Sequence, residues 1–335
     1  MEYRIAMDLM GSDDAPNIEI GGIKRILAQT DDIKIIGFGL KEAIEKNGYT
    51  HKNLTYIYCE DVVTGNDSAS TAFRVKKNAS MIQAIQYVKD GHADAILSSG
   101  NTGAYITSAL FMLGRIKGIK RPALISTVPT AVKNKKLIFG DLGAVAEPDA
   151  ESLAQNGLLA SEIARILFDI EQPKIALLNI GSEEKKGTET YIEAHQLLKK
   201  DPAINFVGNI EPRYLMQGDV DAIITGGFAG NIALKSYEGA IELMTKKLKT
   251  GIMSTFFTKI GGLLIKPAIT GLKETFDYES VGGAILAGIK APVIKMHGTT
   301  SEGQVAAAIV MAKRFIERDL VQNITDNITK STEKE

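Results

Sequence analysis

Short apolar runs recur along the chain, and each leads into a segment whose apolar residues are spaced three and four apart. Residues 5–10, 33–38, 54–59, 95–99, 174–180, 204–207, 222–225 and 292–296 form the runs. Residues 17–29, 71–89, 104–113, 149–168, 188–199 and 302–318 carry the helical spacing, as does a long segment after residue 231. A continuous apolar run bounded by turn residues reads as a strand buried on both faces, which requires helices above and below the sheet. Strand–helix alternation of this kind restricts the chain to an α/β fold with a mostly parallel, doubly wound sheet. One stretch breaks the rule. Residues 123–128 and 136–139 are too close for a crossover helix, so they are expected to pair as an antiparallel hairpin. No Pro/Ser-rich linker divides the chain, so residues 1–321 are expected to form one domain. Residues 322–335 are polar, show no core face and are expected to fray.

The ends of the strand-like runs carry the candidate chemistry. Glycine together with Ser, Thr, Asn or Asp recurs at residues 8–13, 99–103, 141–143, 179–182, 226–231 and 297–301. In a parallel sheet the strand C-termini emerge at one edge, so these loops are expected to share a single anion-rich site. The 99–103 turn is the sharpest of them. Gly100 and Gly103 allow close backbone approach, while Ser99, Asn101 and Thr102 place hydroxyls and an amide beside the unpaired N–H groups of a helix start. His297 stands at another strand end beside Gly298 and three hydroxyl residues, where a ligand contact and a plain turn role are equally compatible with the pattern. In the charge run 183–187 a lysine could neutralise an anion, although a solvated surface is the simpler reading of pattern alone. His51, His92 and His195 lie in polar surroundings and read as surface residues.

Several classes of function are excluded. Net charge is −1, aromatic residues are 6% and Trp is absent, which argues against nucleic-acid binding. There is no P-loop, complete dinucleotide fingerprint, serine-hydrolase elbow or clustered metal motif. No metal or cofactor is therefore expected, and catalysis would rest on positioning and electrostatics. Cys59 is the only cysteine and ends an apolar run, so it reads as a buried structural thiol. No leader and no run long enough to span a bilayer is visible, so the expected location is the cytoplasm.

Residues 241–276 stand apart. Met244, Leu248, Ile252, Phe256, Ile260 and Leu264 recur every four residues, with Phe257 beside them and lysines over much of the remainder. This is an amphipathic, basic bent helix or helical hairpin, suited to an interface or a membrane surface. Ile252, Phe256, Phe257, Ile260 and Leu264 are the candidate membrane contacts.

Taken in order, the motifs Met7-Asp8-Leu9-Met10-Gly11, Arg74-Val75-Lys76-Lys77-Asn78, Ser99-Gly100-Asn101-Thr102-Gly103, Asp141-Leu142-Gly143, Asn179-Ile180-Gly181 through Lys185-Lys186-Gly187, Gly227-Phe228-Ala229-Gly230-Asn231 and Lys295-Met296-His297-Gly298 resemble the PlsX family of acyl-acyl carrier protein:phosphate acyltransferases. The resemblance covers nearly the whole chain. It implies a three-layer fold of the isocitrate dehydrogenase and phosphotransacetylase type, with the helical hairpin protruding. It implies a homodimer associated peripherally with the inner face of the membrane. The implied reaction moves a fatty acyl chain from acyl carrier protein to inorganic phosphate, giving acyl-phosphate for a downstream glycerol-3-phosphate acyltransferase in phospholipid synthesis. Its site lysine and asparagine fall on Lys186 and Asn231. Asp8, Gly11, Ser99, Gly100, Asn101, Thr102, Gly103, Gly230 and His297 are then candidates for binding phosphate or substrate. Arg115, Lys117, Lys120 and Arg121 form a basic connection suited to docking the acidic carrier. Ser12, Val145 and Gly226 depart from the family's usual glycine, asparagine and aspartate. Two alternatives follow: a phosphotransacetylase-like enzyme using a coenzyme A thioester, or a membrane-associated scaffold that has lost activity.

Overall fold

The alternation read from the sequence is realised as a single large sheet between helical layers. The structure, a computed structural model, describes residues 2–275 and 281–332. The elements in chain order are β1 (Tyr3–Asp8), α1 (Asn17–Leu27), β2 (Ile33–Leu40), α2 (Lys41–Asn47), β3 (Leu54–Cys59), α3 (Ala72–Val75), α4 (Ser80–Lys89), β4 (Ala95–Ser98), α5 (Thr102–Met112), β5 (Ala123–Pro129), β6 (Lys136–Gly140) and α6 (Ala150–Phe168). There follow β7 (Lys174–Leu178), α7 (Glu189–Lys200), β8 (Asn205–Ile210), β9 (Ala222–Ile224), α8 (Gly227–Ile252), α9 (Phe256–Leu264), α10 (Lys266–Thr275), β10 (Ala284–Ala287), β11 (Val293–Lys295), α11 (Glu302–Glu317) and α12 (Leu320–Thr332).

The sheet order is β3-β2-β1-β4-β11-β10-β5-β6-β9-β7-β8. Pairing is parallel outside the centre, but β10 runs antiparallel to both β11 and β5, and β5 runs antiparallel to β6. The expected 123–139 hairpin is therefore present as β5–β6. It has a consequence that alternation alone does not show. Strands β6, β7, β8 and β9 point opposite to β1, β2, β3, β4 and β11. The strand ends do not share one edge, which corrects the expected common edge, yet the loops 99–103, 141–143, 226–231 and 297–301 still reach one cleft. The two half-sheets meet instead across β10 and β5 at the switch in strand direction.

One face is covered by α1, α6, α11 and α12 together with buried residues of α7, over a core that includes Ile23, Leu159, Leu198, Ile309 and Phe315. The other face is split. Helices α4 and α5 cover the first half-sheet, with Met81, Ile85 and Tyr105 buried. Leu215, Met216 and Val220, together with Leu234 and Tyr237 of α8, cover the second. The space between these two covers lies over the central strands.

Three further expectations are corrected. Residues 71–89 are not one helix, because the segment between α3 and α4 is held to the preceding loop: Lys76 Nζ donates to Val62 O at 2.7 Å and pairs with Asp67 at 3.0 Å. Residues 322–332 do not fray. Leu320, Ile324 and Ile328 recur every four residues and are buried, seating α12 against α6. Residues 333–335 of that tail lie outside the described residues. His195 is buried rather than exposed; its Nδ1 lies 2.9 Å from Asn209 Oδ1 and its ring meets the edge of Phe206.

The 241–276 segment forms the end of α8, then α9 and α10, with residue 276 outside the described residues. Thr255 caps α9 through a reciprocal bond with Thr258. Gly262 lies so close to Ile252 that an added Cβ would approach its side chain to 2.4 Å, which folds α9 back on the end of α8. No residue of α9 is buried, and Phe256 and Phe257 are 72% and 83% exposed.

Candidate active site

A cleft of about 330 Å³ opens where the two half-sheets meet. Its floor is built from β5 and β10 through Leu124, Ser126, Val128 and Ala284. Alternation along β5 sends these positions to one face of the sheet. One wall is the start of α8, with Asn231, Leu234, Lys235 and Glu238; another is the β11 end, with Lys295, Met296 and His297, followed by Thr300 and Gln304. Thr102 enters at the N-terminus of α5, and Leu142 and Gly143 enter from the turn after β6. The cleft thus joins apolar side chains to two lysines, hydroxyls, two amides and the Glu238 carboxylate.

The 99–103 turn is shaped from beneath. The Asp8 carboxylate is 2% exposed and accepts hydrogen bonds from Ser80 Oγ and Ser98 Oγ, both at 2.7 Å, and from Met10 N at 3.1 Å. Burial pushes its pKa up, against these bonds. Ser98 Oγ in turn accepts from Gly100 N at 3.0 Å. Gly11 is required here because a Cβ would lie 2.3 Å from Gly100 N, so the 8–13 and 99–103 turns touch through backbone. Asp13 N donates to Gly298 O at 2.9 Å and ties in the β11 loop. Asp8 and Gly11 therefore support the turn rather than line the cleft. Asn101 is the N-cap of α5: its Oδ1 accepts from Ala104 N at 3.1 Å and its Nδ2 donates to Thr64 O at 3.1 Å. The Ser99 hydroxyl is buried and has no hydrogen-bond partner among the described residues. Of this turn, Thr102 reaches the cleft.

Lysine 295 was not singled out by sequence reasoning. It is 8% exposed, and its Nζ donates to Ser99 O at 3.1 Å and to Met296 O. Burial lowers its pKa to about 8, against an opposing pull from Asp8. The available signal is a lysine inside the otherwise apolar run 292–296. His297 is held below the usual imidazole pKa by partial desolvation and by the charges of Lys295 and Lys235, against Glu238, so its ring is neutral at pH 7.

Asn231 joins Thr102 and His297 as the predicted residues that line the cleft. Its Nδ2 lies 4.0 Å from the Cβ position at Gly143. Gly230 is a packing residue, since a Cβ there would lie 2.0 Å from Asp141 O. Asp141 itself is buried and gathers the N–H groups of Leu124, Gly143, Ala144 and Val145 at 2.7–3.0 Å. Lys186 is not among the cleft-lining residues. It lies on the β7–α7 connection with its side chain 48% exposed, and its Nζ is 3.9 Å from Glu183.

The three departures have local partners. Ser12 donates through Oγ to buried Glu19 at 2.9 Å, and burial raises the Glu19 pKa to about 7. Val145 N donates to Asp141 Oδ2 at 2.7 Å, and Gly226 N to Tyr191 Oη at 3.0 Å. None of these contacts dismantles the cleft. In the basic connection, Ile116 and Ile119 are buried and turn Arg115, Lys117, Lys120 and Arg121 outward, although Lys120 is paired with Glu151. Cys59 is buried and its pKa is raised to about 11, as a structural thiol requires. No described helix is long and apolar enough to cross a membrane.

Known proteins fit this architecture. A phosphotransacetylase from Streptococcus pyogenes superposes with a TM-score of 0.63 at 19% identity, covering 94% of each chain. An isocitrate dehydrogenase from Methylococcus capsulatus gives 0.50 at 10% identity, covering 96% of this chain and 88% of its own. These likenesses show the fold, including the three layers that the motifs implied. A family model described as fatty acid synthesis protein matches residues 3–323. A relative named phosphate acyltransferase, from Pediococcus pentosaceus, is 41% identical over 325 residues, which is 96% of this chain and 94% of the relative. A match of that extent, on a chain whose cleft keeps its polar groups in place, shows that this protein is an acyltransferase of the fatty acid synthesis protein family, the PlsX family that its motifs resemble.

Proposed function

We propose that the protein transfers a fatty acyl chain from acyl carrier protein to inorganic phosphate. The observation that carries this reading is the composition of the cleft. Leu124, Val128, Leu142, Leu234 and Val281 offer an apolar wall for an acyl chain, beside Thr102, Asn231 and His297. The relative's name, phosphate acyltransferase, supplies the class of acceptor.

Phosphate sits at the N-terminus of α5, where the first N–H groups have no intrahelical partner and Thr102 adds a hydroxyl. One phosphate oxygen attacks the thioester carbonyl carbon. The C–O bond forms as the C–S bond breaks, and the proton of monohydrogen phosphate ends on the departing thiolate, giving acyl-phosphate and free carrier thiol. The nucleophile is already anionic, so a strong base is unnecessary. The Asn231 amide steadies the oxyanion. Lys186, loosely paired and half exposed, turns toward the bound donor as the cation of the acyl side. Neutral His297 is an acceptor or donor beside the phosphate.

The carrier docks on Arg115, Lys117 and Arg121, with Lys120 contributing less because Glu151 offsets its charge. Ile252, Phe256, Phe257, Ile260 and Leu264 of the α8–α9 hairpin rest on a membrane surface, delivering the product to a downstream glycerol-3-phosphate acyltransferase. The active form is a homodimer working from the cytoplasmic side.

Thiol release with palmitoyl-acyl carrier protein and with palmitoyl-coenzyme A, each with and without phosphate, tests the reading. Phosphate-dependent release that favours the carrier thioester is expected. A preference for the coenzyme A ester would assign a phosphotransacetylase-like donor, and no release from either would assign a scaffold.

A further inference from the structure

We infer that Lys295 supplies the positive charge of the phosphate subsite, its ammonium aimed into the cleft by the carbonyls of the two turns that flank it. This rests on the phosphate acyltransferase reading above and adds a residue to it. A lysine ammonium has three N–H groups and no acceptor. Two are used, on Ser99 O and on Met296 O, the first carbonyls beyond or at the ends of β4 and β11. Lys295 lines the cleft, and among the described residues the third has no acceptor.

The charge is the second part. Among the described residues Lys295 forms no salt bridge, and both of its hydrogen bonds go to backbone carbonyls. Asp8 is the nearest acid to act on it, yet both Asp8 oxygens already accept from Ser80, Ser98 and Met10. A buried cation held by two carbonyls alone is costly unless an anion completes its shell. Thr102 at the start of α5, Thr300, His297 and Lys235 line the same cleft and suit a small tetrahedral anion, with Glu238 the one carboxylate among the lining residues.

Two-substrate kinetics on Lys295→Met and Lys295→Arg, with folding checked by circular dichroism, separate a phosphate ligand from a structural tie. The Met variant is expected to raise KM for phosphate by about 10- to 100-fold, the range for losing a charged hydrogen bond. KM for the acyl donor should stay within about twofold, and Arg should recover part of the loss. In the unmodified protein, carbamylation of Lys295 by cyanate, read by mass spectrometry, should slow as inorganic phosphate is added and not as chloride is added. Unchanged phosphate KM in a folded variant, or equal changes in both KM values, overturns the assignment. If both variants fail to fold, labelling decides: protection by phosphate supports the inference and its absence overturns it. Wild-type activity that does not depend on phosphate would defeat the acyltransferase reading itself. Phosphate-dependent wild-type activity with an unaltered Lys295→Met defeats only the role of Lys295.

Discussion

The turns that begin α5 and α8 look alike in sequence and differ in what they offer a ligand. Both follow a short buried strand and combine glycines with an asparagine. At α5, Asn101 is the cap, and its oxygen is taken by Ala104 N. The helix start remains open, with Thr102 in the cleft. At α8 the helix start is closed, because Gly227 N and Phe228 N donate to Val145 O and Ala146 O. There Asn231, a turn further on, carries its amide into the cleft. An asparagine beside glycines is therefore a backbone cap in one turn and a cleft-lining group in the other. Its distance from the helix start decides which.

That comparison breaks most readily at the asparagines. Replacing Asn231 by Ala should lower kcat by about 10²–10³-fold, the usual cost of one oxyanion donor, with little change in melting temperature. Lys186→Ala should also lower turnover by an order of magnitude or more, measured by thiol release; near-normal turnover would remove Lys186 from the mechanism. Next comes the sealed turn. Gly230→Ala forces a methyl group toward Asp141 O, where the Cβ position is 2.0 Å away. A loss of about 1–3 kcal/mol in denaturant unfolding is expected. Smallest is Asn101→Ala, which should cost about 1 kcal/mol as a lost cap and affect turnover only severalfold. If Asn101→Ala matched Asn231→Ala in kcat, the division of labour between the two turns would be wrong. Outside the cleft, Phe256→Glu with Phe257→Glu should abolish flotation on anionic liposomes while leaving soluble-substrate turnover near normal.

The features visible in the sequence were those set by local pattern. Apolar runs marked the strands, and the closeness of 123–128 to 136–139 marked the antiparallel hairpin. What that hairpin does to the whole sheet was not visible. It depends on β10, a four-residue strand whose antiparallel partners, β5 and β11, are fixed only in three dimensions. Ile324 and Ile328 had the right spacing for a core face, but a mostly polar segment needs α6 beside it to show that the face is used. The motifs set Asn231 apart as the site asparagine but did not separate Thr102 from Asn101, because that distinction is which groups are already bonded. Lys295 escaped notice for a similar reason. Nothing local says that its charge is buried without an ion-pair partner.

The central claim is that phosphate attacks the thioester directly in a cleft that holds both. Rapid-quench measurement of carrier thiol released in the first turnover, with and without inorganic phosphate, tests it most directly. The account predicts release only with phosphate, matched one for one by acyl-phosphate. A burst of thiol equal to the enzyme concentration in the absence of phosphate would reveal an acyl-enzyme and contradict it.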